Sequence, residues 1–336
     1  MTTTVGRRYA TIRDATLGAG LLALAVVPVA GQAVPIDETR ELGPDAFVGL
    51  SVVSHSLVVE GWDQDRIQVV GEYDSRFQSL DIESSAQSFR FEIEPVRRFR
   101  IADDLDQQEG SAELHVRLPR AVRLTANTVS GSVRIGGLSG IVTGRAVSGT
   151  VQIEGDLQSV SLNSVSGSIE YLGNASSVQL QSTSGHVGFE GRAESVELHS
   201  VSGTARMQGQ GETISATSVS GPVELSSSVP VQWLEAESVS GPVSYSGGLA
   251  PGGTIQVESR SGSVVLVLGP DAEASFDLST ISGEITADVP MVQTEVRSRS
   301  PFTTQKFLRF VKGSGSGRVE ASSVSGSIHI RALEGW

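Results

Sequence analysis

The chain has 336 residues, a formal net charge of −13 at pH 7 and no cysteine. The acidic balance argues against nucleic acid and anionic membrane surfaces as partners, because both attract basic proteins. The absence of cysteine excludes disulfide bonds, so burial and backbone hydrogen bonds must hold the fold together.

Residues 1–33 are predicted to be a signal peptide rather than part of the fold. Three arginines within the first 13 residues precede an apolar run at 17–30, and small residues follow at 31 and 33. The run is shorter than the ~20 residues of a membrane span. We expect a mature bacterial chain without a transmembrane span, in the periplasm, at the cell surface or secreted. Export by the general or the twin-arginine route and retention of the segment as an anchor all remain open.

Residues 34–118 are predicted to form an irregular β cap that runs into the first coils of a repeat. Short runs with strand-like alternation are separated by Gly, Asp and Ser. The open edge of a first coil must be covered, because a bare edge would pair with other chains.

From residue 119 to residue 332 a phrase of the type V-S-G-S-V-R-I returns ten times. Most repeats follow one another at 18–21 residues, and the last step is 43 residues, close to two steps of 21. Positions are counted below from the glycine of each repeat. These structural glycines are Gly131, Gly149, Gly167, Gly185, Gly203, Gly221, Gly241, Gly262, Gly283 and Gly326.

Apolar residues recur at positions +2 and +4 and again at −7 and −5, with polar residues between them. A spacing of two is strand spacing, so each repeat carries two short, half-buried strands. One such coil can bury its inner face only by stacking on another. The pattern therefore predicts an all-β fold, a parallel β-solenoid or β-helix with about 18–21 residues per coil.

The corner of each coil is predicted near position −4 or −3. Positions −2, 0, +2 and +4 share one phase, so the glycine and the Val or Ile at −2 are expected to point inward. Position −3 is nearly always Ser or Thr, whose hydroxyls can bond to the corner backbone. These serines are interpreted as structural, because an enzyme needs a single nucleophile, whereas every coil needs a corner.

Residues 288–317 interrupt the rhythm, and 333–336 form a tail after the last coil. Segment 288–317 is the one locally basic and aromatic stretch of the acidic chain. Two interpretations stay open: a long loop that folds its phenylalanines over the stack, or a loop that binds a partner or a glycan. The residues of this possible partner-binding loop are Arg297, Arg299, Phe302, Lys306, Phe307, Arg309, Phe310 and Lys312.

The sequence contains few residues that could form a catalytic or metal-binding site. Glu237 and Glu258 are expected to lie about one coil apart, ~5 Å, which is near the carboxylate separation of a retaining glycosidase. Two surface glutamates in any acidic solenoid would give the same spacing. The five histidines are scattered, and no catalytic residue, metal site or cofactor is predicted.

Three motifs together carry a family resemblance. The repeated V-S-G-x-V-x-I follows L-H-V-R-L-P at 114–119 and V-R-L-T-A-N-T at 122–128, and G-W-D at 61–63 precedes both. This pattern resembles the bacterial "putative adhesin" family, a domain of unknown function in envelope and secreted proteins, over roughly residues 45–332. The resemblance implies a β-solenoid and supplies no catalytic motif.

We therefore predict a non-enzymatic, exported β-solenoid, a structural or adhesin-like binding module of the cell envelope whose partner is an envelope polysaccharide or protein. One alternative is a carbohydrate-active enzyme on a β-helix scaffold, which predicts a concave groove with clustered acids. The other is a self-assembling envelope scaffold, which predicts an uncapped terminal coil.

Overall fold

A computed structural model of the chain describes residues 13–14, 33–75, 78–95, 113–289, 293–298 and 305–333. These residues form strands and turns without a helix, and most neighbouring strands are parallel. The predicted all-β parallel solenoid is confirmed. Within the described ranges, no helix has the length and apolar composition that crossing a membrane requires. The chain separates into two compact units, 1–152 and 153–336.

The first unit contains the strands up to the middle of β12. They are β1 (Arg13–Asp14), β2 (Ala33–Glu41), β3 (Phe47–Val52), β4 (Ser56–Trp62), β5 (Arg66–Asp74), β6 (Gln78–Ser85), β7 (Ser88–Pro95), β8 (Glu113–Pro119), β9 (Arg123–Ser130), β10 (Val133–Gly136), β11 (Ile141–Ser148) and β12 (Val151–Glu154).

Coils in the first unit do not stack in chain order. The coil β3–β4 lies between β7–β8 on one side and β9–β10 on the other, with all four contacts parallel. The first coil along the chain is therefore not the outermost coil. The coils β3–β4 and β7–β8 lack the Ser-Gly motif, so the solenoid begins before the repeat becomes visible in the sequence.

Antiparallel strands cover the outer edge of this unit. Strand β6 pairs antiparallel with β7, β5 pairs antiparallel with β8, and β2 pairs antiparallel with β5. His55 links the cap to the first coil, since its buried ring lies 3.2 Å from the Glu72 carbonyl oxygen on β5. Burial lowers the pKa of His55.

The second unit contains the remaining strands. They are β13 (Ser159–Ser164), β14 (Ile169–Ser182), β15 (Val187–Ser200), β16 (Ala205–Ser218), β17 (Val223–Ser227), β18 (Val231–Ser238), β19 (Val243–Gly247), β20 (Leu249–Ser259), β21 (Val264–Leu268), β22 (Ala274–Thr280), β23 (Ile285–Asp288), β24 (Gln293–Ser298), β25 (Lys306–Lys312), β26 (Gly317–Ser323) and β27 (Ile328–Ala332).

This unit stacks in chain order from β13 to β21 and then departs from it. The last coil, β26–β27, is inserted between β20–β21 and β22–β23. The step of 43 residues between Gly283 and Gly326 is therefore not an extra coil whose motif has been lost. The coils on either side of this step are neighbours in space, but in reversed order. Gly326 follows Gly262 in space, and Gly283 follows Gly326.

Part of the predicted irregular segment 288–317 is a hairpin that covers the end of this stack. Strand β25 pairs antiparallel with β22 and also with β24, so β22 has a neighbour on each edge. Phe310 on β25 stacks on Phe276 of β22 with the ring centroids 4.3 Å apart. Apolar packing thus holds the hairpin on the terminal coil.

The inward columns follow the predicted alternation, with the residues at −7, −5, +2 and +4 buried in almost every coil. The prediction for −2 is wrong. The Val or Ile residues of this column are 41–49% exposed. The strand continues one position further than expected, so the Ser or Thr at −3 is buried and the chain turns at −2 to 0. The exposed column comprises Val129, Val147, Val165, Val201, Val219, Val239, Ile281 and Val324.

The corner glycines are required by the close approach of successive coils. A Cβ atom on Gly203 would lie 1.9 Å from the carbonyl oxygen of Gly185, and one on Gly221 would lie 2.0 Å from that of Gly203. Such distances are far inside van der Waals contact, so no side chain fits unless the coils separate. The corner glycines of the second unit do not have positive φ.

A buried hydroxyl at −3 fixes each of these corners. In the coil of Gly221, the Ser218 Oγ accepts a hydrogen bond from the Gly221 N–H at 3.0 Å and donates to the Gly203 carbonyl at 3.4 Å. Two corners of the first unit lack this bond. Position −3 is Ala146 in one, and in the other the Thr128 Oγ1 has no partner. Their glycines, Gly149 and Gly131, have φ of 108° and 132°.

A second glycine column, which the sequence reading missed, bends the strands at position +6. Gly155, Gly173, Gly191 and Gly209 have φ between 129° and 147°. This conformation allows β14, β15 and β16 to run for 14 residues each through a bend without interruption.

Replacing Gly203 by alanine tests the packing of the corners. We expect Gly203→Ala to lower the free energy of unfolding by about 1–3 kcal/mol or more, because the added Cβ must push two coils apart. Gly269→Ala in the same unit is the control. Its added Cβ would meet no atom closer than 3.8 Å, and we expect a change within about 0.5 kcal/mol. Urea unfolding followed by circular dichroism measures both, and equal effects would contradict this packing.

Replacing Ser218 by alanine tests the corner hydroxyl. The change leaves the buried Gly221 N–H without its acceptor, and we expect a loss of about 1–3 kcal/mol. Ser220→Ala, at the exposed position −1 of the same corner, should change stability by less than about 0.5 kcal/mol. The same unfolding measurement separates them, and a neutral Ser218→Ala would show that the hydroxyl does not stabilise the corner.

Candidate functional site

The bend at the +6 glycines carries a ladder of polar side chains at position +7. Asp156 Oδ1 accepts hydrogen bonds from the backbone and side-chain nitrogens of Asn174, at 3.2 and 2.7 Å. Asn174 Oδ1 in turn accepts from the backbone N–H of Arg192 at 3.2 Å. The Arg192 guanidinium donates to the Gln210 side-chain oxygen. Each side chain therefore bonds to the next coil, which holds the row in a fixed array.

The backbone beneath this ladder is held from the inside. The Tyr171 hydroxyl donates to the carbonyl oxygen of Asn174 at 2.6 Å, and burial raises the pKa of Tyr171 to about 12. In the next coils, the Ser228 backbone N–H donates to the Gly209 carbonyl at 2.7 Å. These bonds add to the backbone hydrogen bonds of the bend, since the Asn174 carbonyl also accepts from the Leu157 N–H at 2.8 Å.

A shallow groove of about 630 Å³ lies along this bend in the second unit. Its charged groups are the Glu190 carboxylate and the Arg192 guanidinium, and its other side chains are amides and hydroxyls. The groove contains no pair of carboxylates and no histidine. It is lined by Asn174, Glu190, Gly191, Arg192, Gln208, Gly209, Gln210, Ser226, Ser227, Ser228 and Ser246.

The flat outer face formed by positions −8, −6 and −4 is also polar and partly networked. Ser161 contacts Gln179 at 3.2 Å, and Gln179 Nε2 donates to Glu197 Oε2 at 3.1 Å. His199 Nε2 donates to Glu197 Oε1 at 2.8 Å, and its Nδ1 contacts Thr217. This network spans four successive coils, so these side chains share one surface.

The two glutamates considered for catalysis are neighbours, as predicted. Glu237 on β18 is in register with Glu258 on β20. Both are exposed on the flat outer face, away from the residues that line the groove. Among the described residues, no group of His, Asp and Glu has the arrangement of a metal site. Glycoside hydrolysis would require the two carboxylates to enclose the scissile bond in a cleft, and neither residue lines the groove.

The residues of the possible partner-binding loop take different positions. Lys306 and Arg309 are exposed on β25, Phe307 is half-buried, and Arg309 pairs with Asp277 at 2.8 Å. Phe310 is buried. Lys312 is also buried, and its Nζ donates to the carbonyls of Gly269 and Pro270 at 3.2 and 2.7 Å.

Burial lowers the pKa of Lys312, and its bonds to two carbonyls show that it anchors the hairpin. Arg297 lies on β24, where the backbone alone is described, and Arg299 and Phe302 lie outside the described residues. A binding role for this segment stays a prediction. Among its described side chains, it involves only Lys306, Phe307 and Arg309.

Sequence reasoning missed the groove because no single residue in it is unusual. The available signal was the second glycine column, which repeats every 18 residues from Gly155 to Gly209. A second missed residue is Trp233, which stands on the outer face at position −8, where the other coils of this unit carry Ser, Thr or Arg.

Comparison with known proteins finds a family and remote structural neighbours. The sequence model of the Toastrack DUF4097 family matches residues 82–331. No curated protein sequence matches the chain.

Three solved structures, each 13% identical or less, align with 89% of this chain. One is a putative cell adhesion protein from Clostridium sporogenes ATCC 15579, 12% identical over 100% of that chain with a TM-score of 0.19. Another is a putative adhesin from Bacteroides fragilis NCTC 9343, 10% identical over 97% of that chain with a TM-score of 0.35. The third is a putative lipid binding protein from Parabacteroides distasonis ATCC 8503, 13% identical over 97% of that chain with a TM-score of 0.28. At these identities and TM-scores, the likeness carries no information about function.

Proposed function

We propose that this chain, which belongs to the Toastrack DUF4097 family, is a non-enzymatic exported module that binds an envelope polysaccharide or protein. The family membership agrees with the resemblance carried by the repeat motifs. One observation supports the binding role: the groove at the bend holds a hydrogen-bonded ladder of amide, guanidinium and hydroxyl groups in coil register.

The groove suits a polymer that is rich in hydrogen-bonding groups. Its ladder repeats at the coil spacing of ~4.8 Å, so it offers a similar set of donors and acceptors at regular steps along its length. Glu190 and Arg192 have opposite charges, so the groove does not select strongly for either sign of ligand. Because neighbouring side chains hold the row in place, little rotamer entropy is lost when a ligand binds.

The enzyme and scaffold alternatives have less support. The two adjacent glutamates lie on a flat, exposed face rather than in a concave groove. A self-assembling scaffold needs a bare terminal coil. Antiparallel strands cover the outer edges of β7 and β8 and, among the described residues, one of the two strands of the terminal coil β22–β23. A binding module requires neither feature.

An array of envelope glycans and envelope proteins tests the proposal. We expect the wild-type protein to bind a polymer and the double variant Arg192→Ala with Gln210→Ala to bind it at least about tenfold more weakly, a change of about 1.4 kcal/mol. Both substitutions remove ladder side chains without touching the core.

Arg206→Ala is the matched control, because Arg206 is an exposed arginine on β16, the strand that carries Gln210, and lies outside the groove. It should bind like the wild type. Failure of the wild type to bind any polymer would overturn the binding role, and equal binding by both arginine variants would place the site elsewhere.

A further inference from the structure

Trp233 breaks the repeat on the outer face of the second unit. It occupies position −8, and its register neighbours are Thr213 on β16 and Thr254 on β20. Elsewhere in this unit the column holds Ser159, Ser177, Ser195, Ser275 and Arg318. One coil has thus replaced a small hydroxyl by the largest side chain, on the solvent side of a strand.

Packing does not explain this indole. Trp233 is 42% exposed, and within the described residues it has neither a hydrogen bond nor a ring contact. Trp62 shows the contrast, since its Nε1 donates to the Arg66 carbonyl at 2.8 Å and the Arg66 guanidinium lies 5.3 Å from the ring centroid. A solvent-exposed indole without a partner provides an apolar face and an N–H donor for a ligand.

Threonines flank this indole across the strands, and carboxylates follow it along β18. Glu235 and Glu237 follow it on the outward side of β18, and Glu258 is in register with Glu237 on β20. The nearest arginine in the column, Arg318, donates to Glu320 at 2.6 Å, so its charge is already paired. The surface around Trp233 is therefore aromatic and acidic.

We infer that Trp233, with Glu235 and Glu237, forms a stacking platform for the rings of an uncharged polysaccharide. This inference rests on the proposed binding function, and it adds a second contact surface outside the groove and names the class of ligand. The C–H face of a pyranose ring packs on the indole, and the carboxylates accept hydrogen bonds from the sugar hydroxyls. A polyuronate is disfavoured, because its carboxylates would lie against those of the protein.

Titration of the full-length protein with cellohexaose and, separately, with polygalacturonate tests the inference. We expect cellohexaose to bind and to change the tryptophan fluorescence, and polygalacturonate to bind at least about tenfold more weakly. Trp233→Ala should weaken cellohexaose binding about tenfold or more. Trp233→Tyr, which keeps an aromatic ring, should restore most of the affinity. Val219→Ala, at a similarly exposed position of the corner column, should leave it unchanged.

The outcomes separate this inference from the proposed function. Equal affinity of Trp233→Ala and the wild type for cellohexaose would overturn the platform. Tighter binding of polygalacturonate, or no binding of cellohexaose by a wild-type protein that binds another polymer on the array, would overturn the ligand class and leave the binding function standing. No binding to any polymer would overturn both. Thermal melting of each variant checks that the fold is intact, and we expect melting temperatures close to that of the wild type because all the substituted side chains are exposed.

Discussion

The close approach of backbone to backbone at the glycine corners governs the rest of this structure. In the second unit, the corner glycines from Gly185 onward lie so near the carbonyl of the neighbouring coil that even a methyl group would not fit. The buried serine at −3 then joins the two coils, since it accepts from one glycine and donates to the other. Because the corners and inward columns carry the stacking, the outward columns are free to vary from coil to coil. Function in such a chain is expected in those columns, and the groove ladder and Trp233 both lie there.

The terminal coils show how unpaired strand edges are reduced at the ends of a parallel stack. In the first unit the first coil, β3–β4, is inserted one place inward, and in the second unit the last coil, β26–β27, is inserted in the same manner. Antiparallel strands that belong to no coil then cover the outer edges of β7, β8 and β22. An inserted coil is held on both sides, so the ends of the repeat do not fray as a bare terminal coil would. Inward insertion also makes the terminal contacts non-local along the chain, which slows folding.

Much of the fold could be predicted from the sequence, because burial alternates with strand period in every repeat. Leu180, Leu198 and Ala216 are buried at −5 as the pattern requires. The corner was misplaced because Val at −2 is apolar, and an apolar residue in phase with the core is expected inside. In fact, Val201 and its equivalents lie on the outer side of the turn, where the side chain is exposed to solvent.

The order of the coils could not have been predicted. Gly262, Gly283 and Gly326 belong to corners with the same Ser-Gly motif, so the motif does not distinguish which coil stacks on which. Only the long connection between Gly283 and Gly326 permits the exchange, and its length alone does not require it. The groove was missed in the same way, since its one signal in the sequence is the second glycine column from Gly155 to Gly209. Outside the groove, Trp233 departs from its column, and that departure could have marked the position.

Engineered cysteine pairs test the stacking order most directly, because the chain has no cysteine of its own. Glu258 is in register with Ser322, and Ser322 is in register with Ser279. Neighbouring strands lie ~4.8 Å apart, within the reach of a disulfide, whereas strands two places apart lie at about twice that distance. Mild oxidation should therefore crosslink Glu258→Cys with Ser322→Cys within one chain and leave Glu258→Cys with Ser279→Cys reduced. Mass spectrometry identifies the crosslinked pair. A disulfide between positions 258 and 279, with the pair 258 and 322 reduced, would mean that the coils stack in chain order and would contradict the insertion of β26–β27.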